Sequence, residues 1–460
     1  MNRIIFNQKD YDHLRSHLLR AMNSDEEAAF LIAGTKVKEE GIDLLIKEIV
    51  PVPSEALITQ SSMGLEIHPD FISTVVKRCR LENRSLLMAH SHPFSSHGVG
   101  FSSIDDHGEQ LLMPKIVARA PNSVHGTMVF GRSSLDARLW TPEGRHLGVG
   151  QVKVIGRPVK TVIPTSSPRG PHQQTNQEEH ARQILALSSH GQGRLSRTSV
   201  GIVGVGGVGS IVFEFLVRAG VQNITVVDDD LIERSNLSRI LGSLPEDAIE
   251  GRSKVEVMER LGQQVKPGAT IKPIKGSVLD LSVAKQLLDL DVLFSCTDTH
   301  SSRMVLSRIC SQYLIPLIDM GVDIQPSKEG KIRRIGGRVM VQTPTDPCLD
   351  CLGVIDHEAV SREMAEDHYV HTPYVQGAED EHDPAVISFN GAVASLAVTE
   401  FLNLALGCFE RNGAPTYQVY GGVRGMVRLV ELKAIRNCGG VCEEVRAAGD
   451  IIDLPCRLNR

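Results

Sequence analysis

From Ser199 to Ala219 the chain reads SVGIVGVGGVGSIVFEFLVRA, a β-branched apolar run that breaks into glycines and resumes at helical spacing. Few folds accept that order. A short buried strand ends in a tight turn, and a helix then opens with its first amides facing back over the turn. Such a unit belongs in a parallel sheet whose strands are joined by covering helices. The following segments keep the alternation, with NITVVDD as a strand, Lys254–Val265 as a helix and DVLFSC as a further strand. From residue 178 onward the chain is therefore expected to be α/β, a Rossmann-like domain with a mostly parallel sheet.

The first third of the chain has a different texture. Short β-rich runs such as FLIAGTKV and SLLMAHSH alternate with two amphipathic helices, near Tyr11–Met22 and Asp70–Glu82. In the second helix Phe71, Ile72, Val75, Val76 and Cys79 recur on one face, as a 3.6-residue period requires. This is an α+β pattern over 1–155. Between the halves, RPVKTVIPTSSPRGPHQQTNQ holds four prolines and buries little, so 156–177 is expected to be a linker and 178–460 the second domain. Two or three domains suit 460 residues, and 41% apolar with 23% charged residues is a globular composition. The net charge of −6, with both signs interspersed, argues against nucleic acid as the partner. No apolar run approaches the ~18 residues of a membrane span, and the N-terminal stretch has no signal-peptide core. A cytoplasmic protein without a membrane partner is expected.

Residues 89–106 read AHSHPFSSHGVGFSSIDD. On a strand, His90 and His92 leave by the same face and can grip one ion, and Pro93 ends the strand. Asp105 can supply a third ligand and leave a fourth position to water, the layout of a catalytic zinc. Ser102 can hold that water or a developing oxyanion. His97 is read as a loop residue able to compete as a ligand. The pattern H-S-H-P followed by Ser102-x-x-Asp105 resembles the JAB/MPN (JAMM) metalloproteases, isopeptidases that cut ubiquitin-like proteins from their targets. Nine residues separate His92 from Ser102, a longer spacer than the family's usual one. The resemblance implies a JAB/MPN fold and an upstream glutamate as general base. In EEAAFLIAG this is taken as Glu27, with Glu66 as second choice. It would draw the proton from the zinc-bound water and pass it to the leaving amine.

The glycines Gly204, Gly206, Gly207 and Gly209 offer amides to a phosphate, and Asp228 about twenty residues on suits a ribose. A dehydrogenase would show the same features. The next stretch is less neutral: DDDLIERSNLSR brings Asp230, Asn236 and Arg239, then Lys254 arrives in GRSKVEVMERL. A cationic pair suits a triphosphate and its leaving pyrophosphate better than NAD. Asp298, in LFSCTDTHSSR at a strand end, can hold Mg²⁺. These motifs resemble the family of ubiquitin-activating enzymes and the ThiF/MoeB-like adenylyltransferases of thiamine and molybdopterin synthesis, over about 178–430. D-x-D…S-N-L-x-R falls on Asp228, Asp230 and Ser235–Arg239, and T-D…R on Thr297, Asp298 and Arg303. The resemblance implies ATP and Mg²⁺ as cofactors, with Arg239 and Lys254 catalytic. It further implies a homodimer in which Arg182, on the helix EHARQILALSSHGQGRL, reaches the partner's ATP. Cys348, Cys351, Cys438 and Cys442 resemble the paired cysteines of a structural zinc, although CGGVC is one residue longer than the family's second pair. The acidic stretch 356–383, read as a solvated loop, has no cysteine for a thioester, and Cys296, Cys310 and Cys408 are read as core or helix residues.

Taken together the two resemblances imply a bifunctional bacterial enzyme acting on a ubiquitin-like modifier. A zinc peptidase would process or remove the modifier, and an ATP-dependent domain would adenylate its C-terminal glycine, with a conjugating-type enzyme as a further partner. The alternative is processing and activation of a sulfur-carrier protein for sulfur transfer in cofactor or amino-acid biosynthesis. An NAD-dependent oxidoreductase is the reading from a different class.

Overall fold

The structure is a computed structural model that describes residues 1–20, 24–95, 97–121, 123–141, 143–168, 178–327, 329–365, 384–409 and 416–457. It divides into two compact units. The first comprises Met1–His172, Gln312–Leu314 and Glu443–Asp453. The second comprises Gln173–Ser311, Ile315–Cys442 and Leu454–Arg460.

In the first unit β1 (Arg3–Asn7), α1 (Gln8–Leu18), β2 (Ala28–Lys38), β3 (Gly41–Pro51) and β4 (Leu57–Ser61) come first. Next are β5 (Gly64–Ile67), α2 (Pro69–Leu81), β6 (Ser85–Ser91), α3 (Ser103–Arg119) and β7 (His125–Phe130). Then come β8 (Leu135–Trp140), β9 (His146–Gly148), β10 (Gln151–Ile155) and β11 (Lys160–Val162). Nine strands form one mixed sheet in the order β11-β10-β1-β3-β2-β6-β7-β8-β9, while β4 and β5 pair separately. The central strand β2 is apolar on both faces, and period-2 alternation sends its residues into two cores. Ala29, Leu31 and Ala33 meet Tyr11, Leu14 and Leu18 of α1. Ala28, Phe30 and Ile32 meet Val75, Val76 and Cys79 of α2, with Met113 and Ile116 of α3.

Two expectations move. The first helix starts at Gln8 rather than Tyr11, because the Asn7 side chain accepts from Asp10 N (2.9 Å) and caps it there. The stretch expected to be a linker from 156 continues the sheet. Pro158 and Pro164 flank β11 rather than interrupt it, β11 pairs antiparallel with β10, and Thr165 N donates to Leu135 O. Residues 169–177 of that stretch lie outside the described residues.

The segment Glu443–Asp453 closes the same unit on β2. Gly449 bridges Thr35, Asp450 N donates to Thr35 O (2.8 Å), and the Asp450 carboxylate accepts from Val37 N (2.8 Å). A Cβ at Gly34 would stand 2.1 Å from Ala447 O, so only glycine admits the approach. Elsewhere in the unit Asp43, with a side chain 1% exposed, takes Arg3 and Lys38 and has Lys36 at 3.4 Å. Burial opposes its ionisation, but the three cations outweigh that and bring its carboxyl down to about 2.

In the second unit the order begins α4 (Ala181–Arg197), β12 (Ser199–Val203), α5 (Gly207–Arg218), β13 (Asn223–Asp228), α6 (Pro245–Glu250) and α7 (Lys254–Val265). It continues with β14 (Thr270–Lys275), α8 (Leu281–Lys285), β15 (Val292–Ser295), α9 (His300–Tyr313), β16 (Leu317–Pro326) and β17 (Ile332–Gln342). After these come α10 (His357–Ala365), α11 (Ile387–Leu406), β18 (Tyr417–Gly421) and β19 (Met426–Leu429), and then α12 (Val441–Val445). The sheet order is β14-β13-β12-β15-β16-β17-β18-β19. The first five are parallel, as the α/β alternation predicts, and β17 to β19 add an antiparallel extension. The strand order reverses between β12 and β15, the position where α/β sheets open a crevice.

α11 corrects one sequence expectation. Its 20 residues, with hydropathy 1.3, are long and apolar enough to cross a membrane by length and composition. In this fold it packs on α5, β16 and β17, with Val393, Ala397 and Phe401 buried. The acidic stretch begins as α10, and 366–383 lies outside the described residues.

Candidate functional site

In the first unit the end of β6 and the start of α3 bring His90, His92 and Asp105 together, with one donor atom of each within 4.8 Å of the others. His90 Nε2 is 3.1 Å from Asp105 Oδ1, and His92 Nε2 is 3.4 Å from Oδ2. His90 Nε2 is buried and makes no hydrogen bond of acceptable geometry. The sequence S-x-x-D does local work here. Ser102 Oγ accepts from Asp105 N (3.2 Å) and Asp105 Oδ2 accepts from Ser102 N (2.6 Å), a capping box that opens α3 and fixes the aspartate. Ser102 is therefore placed as a helix cap, its oxygen accepting from the helix while its O–H remains a donor. His97 lies in the exposed loop outside the cluster.

The glutamate at this cluster is Glu26, not Glu27. Glu26 Oε1 stands 3.5 Å from His92 Nε2. Glu27 is held by its backbone: its N donates to Ser91 Oγ (2.9 Å), and Ser91 N donates to its carbonyl (3.0 Å). That pairing, with Gln60 Nε2 donating to Glu26 O (2.9 Å), fixes which of the two adjacent side chains faces the histidines. Successive residues of an extended chain point to opposite faces, so the correction by one position is a correction of side. Glu66, on β5, belongs to the separate β4–β5 pair. Burial raises the Glu26 carboxyl above its ordinary range, with partial relief from His90 and His92. For His92, burial favours the neutral ring, but Asp105 and Glu26 prevail and raise it.

In the second unit a cavity of about 1520 Å³ opens at the carboxyl ends of β12, β13, β15 and β16. Gly204, Gly206, Gly207, Asp228, Asp230, Arg239, Lys254 and Asp298 all line it. Gly204 has φ +86°, and a Cβ there would meet Cys296 O at 2.7 Å. The Asp228 carboxylate accepts from Val205 N (2.7 Å) and Asp230 N (3.0 Å), tying the glycine turn to the end of β13. Burial raises its carboxyl pKa, with Lys254 pulling the other way. Lys254 Nζ lies 2.5 Å from Asp230 Oδ2 and 3.8 Å from Asp228 Oδ1.

Three expected residues stand apart from the cavity lining. Gly209 lies inside α5, where a Cβ would meet Gly204 O at 1.9 Å, so its role is helix–turn packing. Asn236 Oδ1 accepts from Glu233 N (3.1 Å) and caps the turn that delivers Arg239. Arg182 sits exposed on α4. Arg303 lines the cavity and donates to Thr297 O and Asp298 O, which holds the loop carrying Asp298. Sequence patterns did not reveal Glu363 of α10, whose carboxylate accepts from His300 N (3.1 Å) and Ser301 N (2.7 Å) and caps α9 beside Asp298. Nor did they reveal Asp319, because single residues on separate strands leave no spacing to read.

Cys348, Cys351, Cys438 and Cys442 gather with their sulfurs within 4.8 Å of one another. Cys351 N donates to Cys348 Sγ (3.4 Å), and the Cys438 and Cys442 sulfurs are 3.5 Å apart. Four thiolates around Zn²⁺ at ~2.3 Å would have that kind of spacing, and the extra residue of CGGVC is absorbed by Gly439 and Gly440 at φ +73° and +82°. Cys296 and Cys310 are placed at the end of β15 and in α9, and Cys408 just after α11.

A model of the ThiF family matches residues 180–441. The chain is 29% identical over 180 residues to the SAMP-activating enzyme E1 of Haloferax volcanii, covering 39% of this chain and 62% of that protein. It is 32% identical over 175 residues to the molybdopterin-synthase adenylyltransferase of Escherichia coli, covering 37% and 66%. With the sulfur carrier protein ThiS adenylyltransferase of the same organism it shares 31% over 179 residues, covering 38% and 66%. The chain thus spans just under two thirds of the length of these curated relatives.

Proposed function

This chain belongs to the ThiF family, and from that premise we propose that it adenylates the C-terminal glycine of a small sulfur-carrier or ubiquitin-like protein. The observation that carries this is a single cavity lined by the glycine turn, Arg239, Lys254 and Asp298. The turn amides and the start of α5 suit phosphate oxygens, and Asp228 suits the ribose. Arg239 and Lys254 would neutralise the triphosphate and the departing pyrophosphate. Asp298 would hold Mg²⁺, which when bound draws charge from the phosphates. The carrier's carboxylate oxygen attacks the α-phosphorus, the α–β phosphoanhydride bond breaks, and pyrophosphate leaves with its electrons. The nicotinamide reading is set aside.

Between the two fates of the product, sulfur transfer is favoured over conjugation. Relatives are named for molybdopterin synthase and for a sulfur carrier protein, and no cysteine lies between Cys351 and Cys408 to form a thioester. The test is ATP–pyrophosphate exchange with E. coli ThiS as the carrier. Exchange should depend on added ThiS and vanish when its last glycine is deleted; no carrier-dependent exchange overturns the reading. A homodimer with Arg182 lent to the partner's nucleotide belongs to the same proposal, since Arg182 is exposed and lies outside the lining of its own cavity.

For the first unit we propose a zinc (iso)peptidase of JAB/MPN type that trims or releases the same carrier. Two histidines and an aspartate converge, one of them with a buried nitrogen lacking a hydrogen bond, and this fits a three-ligand zinc with a position left open. Zinc would supply an acidified water and polarise the scissile carbonyl. Glu26, kept receptive to a proton by burial, would take that proton and deliver it to the leaving amine. A ThiS precursor extended beyond its final glycine should be cut there, and cutting should stop on chelation. The four cysteines are proposed to hold a second, structural zinc.

A further inference from the structure

We propose that Arg338 receives the C-terminal carboxylate of the carrier's tail before adenylation, a role that rests on the adenylating reading above. Asp319, on β16 and 0% exposed, is the anchor. It accepts from Ser295 Oγ (2.9 Å), from Arg303 Nε (3.3 Å) and from Arg338 Nε (3.3 Å). One carboxylate between two guanidinium groups leaves a unit of positive charge unmatched. Arg303 spends its terminal nitrogens on Thr297 O and Asp298 O. Arg338 donates through Nε alone, and among the described residues no group takes its terminal nitrogens.

Those nitrogens have somewhere to point. Arg338 lines the cavity with a side chain 29% exposed. Its cross-strand neighbour is Gly321, where a Cβ would come 3.9 Å from the Arg338 guanidinium carbon. A guanidinium pinned at Nε by a buried acid presents a fixed fork, which matches a planar carboxylate by two parallel hydrogen bonds. The phosphates would already have the glycine turn after β12, Arg239 in the segment after β13, and Lys254 at the start of α7. Arg338 stands on β17, in the antiparallel extension, and the cavity runs on past it along Tyr417 and Tyr420 of β18. At about 1520 Å³ it exceeds the ~300–1,000 Å³ usual for a small-molecule site, which leaves room for a length of extended chain.

The experiment is calorimetric titration of E. coli ThiS, as free acid and as C-terminal amide, into the protein loaded with α,β-methylene-ATP. The parent should bind the acid about tenfold more tightly than the amide, the strength of one charge-assisted fork. Arg338→Met should bind both forms as the parent binds the amide, and Arg338→Lys should keep only part of the preference. The affinity for α,β-methylene-ATP should be unchanged in both variants, because Asp319 keeps Arg303 and the fold keeps its buried pair. A preference that survives in Arg338→Met overturns the proposal, and so does a parent that shows none, including one that fails to bind ThiS. A parent that prefers the acid yet gives no carrier-dependent pyrophosphate exchange sinks the adenylating reading instead and leaves Arg338 as a carboxylate receptor.

Discussion

At the histidine cluster of the first unit, three of four side chains come from the stretch His90 to Asp105, and each is aimed by a local device. At the cavity of the second unit the lining runs from Val203 to Arg457 and depends on strand order more than on any one turn. The first arrangement is compact in sequence and sensitive to a single residue's side. The second is dispersed, and its backbone amides cannot be deleted one at a time, so its weak points are the few cations and acids that no neighbour can replace.

The widest separation between the two should come from crossing their central residues. His90→Ala should lower carrier-precursor cleavage by about 10³-fold or more, and Asp298→Ala should do the same to pyrophosphate exchange. Each should leave the other activity within about twofold, since the two sites share no residue. Cross-inhibition in both directions would end the view of two separate chemistries. Next is the choice between neighbours. Glu26→Gln should cut peptidase turnover by about 10²–10⁴-fold with zinc content kept, while Glu27→Gln stays near the parent; the reverse order by paired kinetics and metal analysis would restore Glu27 as the base.

The dispersed site admits a subtler test. Arg182→Ala and Asp298→Ala should each be nearly inactive in exchange, yet an equal mixture should recover about a quarter of parental activity. After subunit exchange half the dimers are mixed, and each of those has one complete site. No recovery, with exchange confirmed by labelled subunits, would place Arg182 in its own subunit or outside catalysis.

Two smaller effects probe how the compact unit is held. Asp43→Asn removes the buried carboxylate shared by Arg3, Lys36 and Lys38 and should cost about 3–5 kcal/mol in denaturant titrations of the full chain. In the parent the Asp43 carboxyl titrates lower when folded, at about 2, than in the unfolded chain near ~3.9. Its contribution is therefore complete above about pH 4 and lost as pH falls toward 2, a slope that Asp43→Asn should lack. Ser102→Ala removes one half of the capping box and should cost about 1 kcal/mol in stability. Because the same box orients Asp105, zinc affinity should fall by about 10–100-fold, read by competition with a chelator. Unchanged affinity would make the cap purely structural.

How much could be read from sequence depended on how local each constraint is. The glycine turn was legible because its backbone demands glycine: Gly204 has φ +86° and a neighbouring carbonyl where a Cβ would sit. His90, His92 and Asp105 were legible because a strand period and a helix cap fix their spacing. Glu26 is not separable from Glu27 in EEAAF, which does not reveal on which side β2 begins; the structure pairs Glu27 N with the Ser91 hydroxyl, sixty-four residues away, and sets Glu26 beside His92. Asn236 is named for the nucleotide by the S-N-L-x-R pattern; the pattern does not show that its side-chain oxygen also caps the turn that carries Arg239. Asp319 and Arg338 lie on paired strands and meet only when the hairpin closes, so no motif announced them. The antiparallel extension escaped for the same reason. Its strands do not follow the helix-strand alternation that made β12 to β16 readable.

The return of Glu443–Asp453 to β2 has a consequence for how the molecule is made. A ribosome would finish Met1–His172 long before it delivers the residues that pair with Thr35 and Val37. Until then the far end of β2 exposes Gly34 and two unpaired backbone groups to whatever else is in reach. The nascent first unit therefore carries an unpaired edge while residues 173–442 are being made. A fragment ending at residue 172 should keep that edge open, and a peptide of residues 443–453 should bind it.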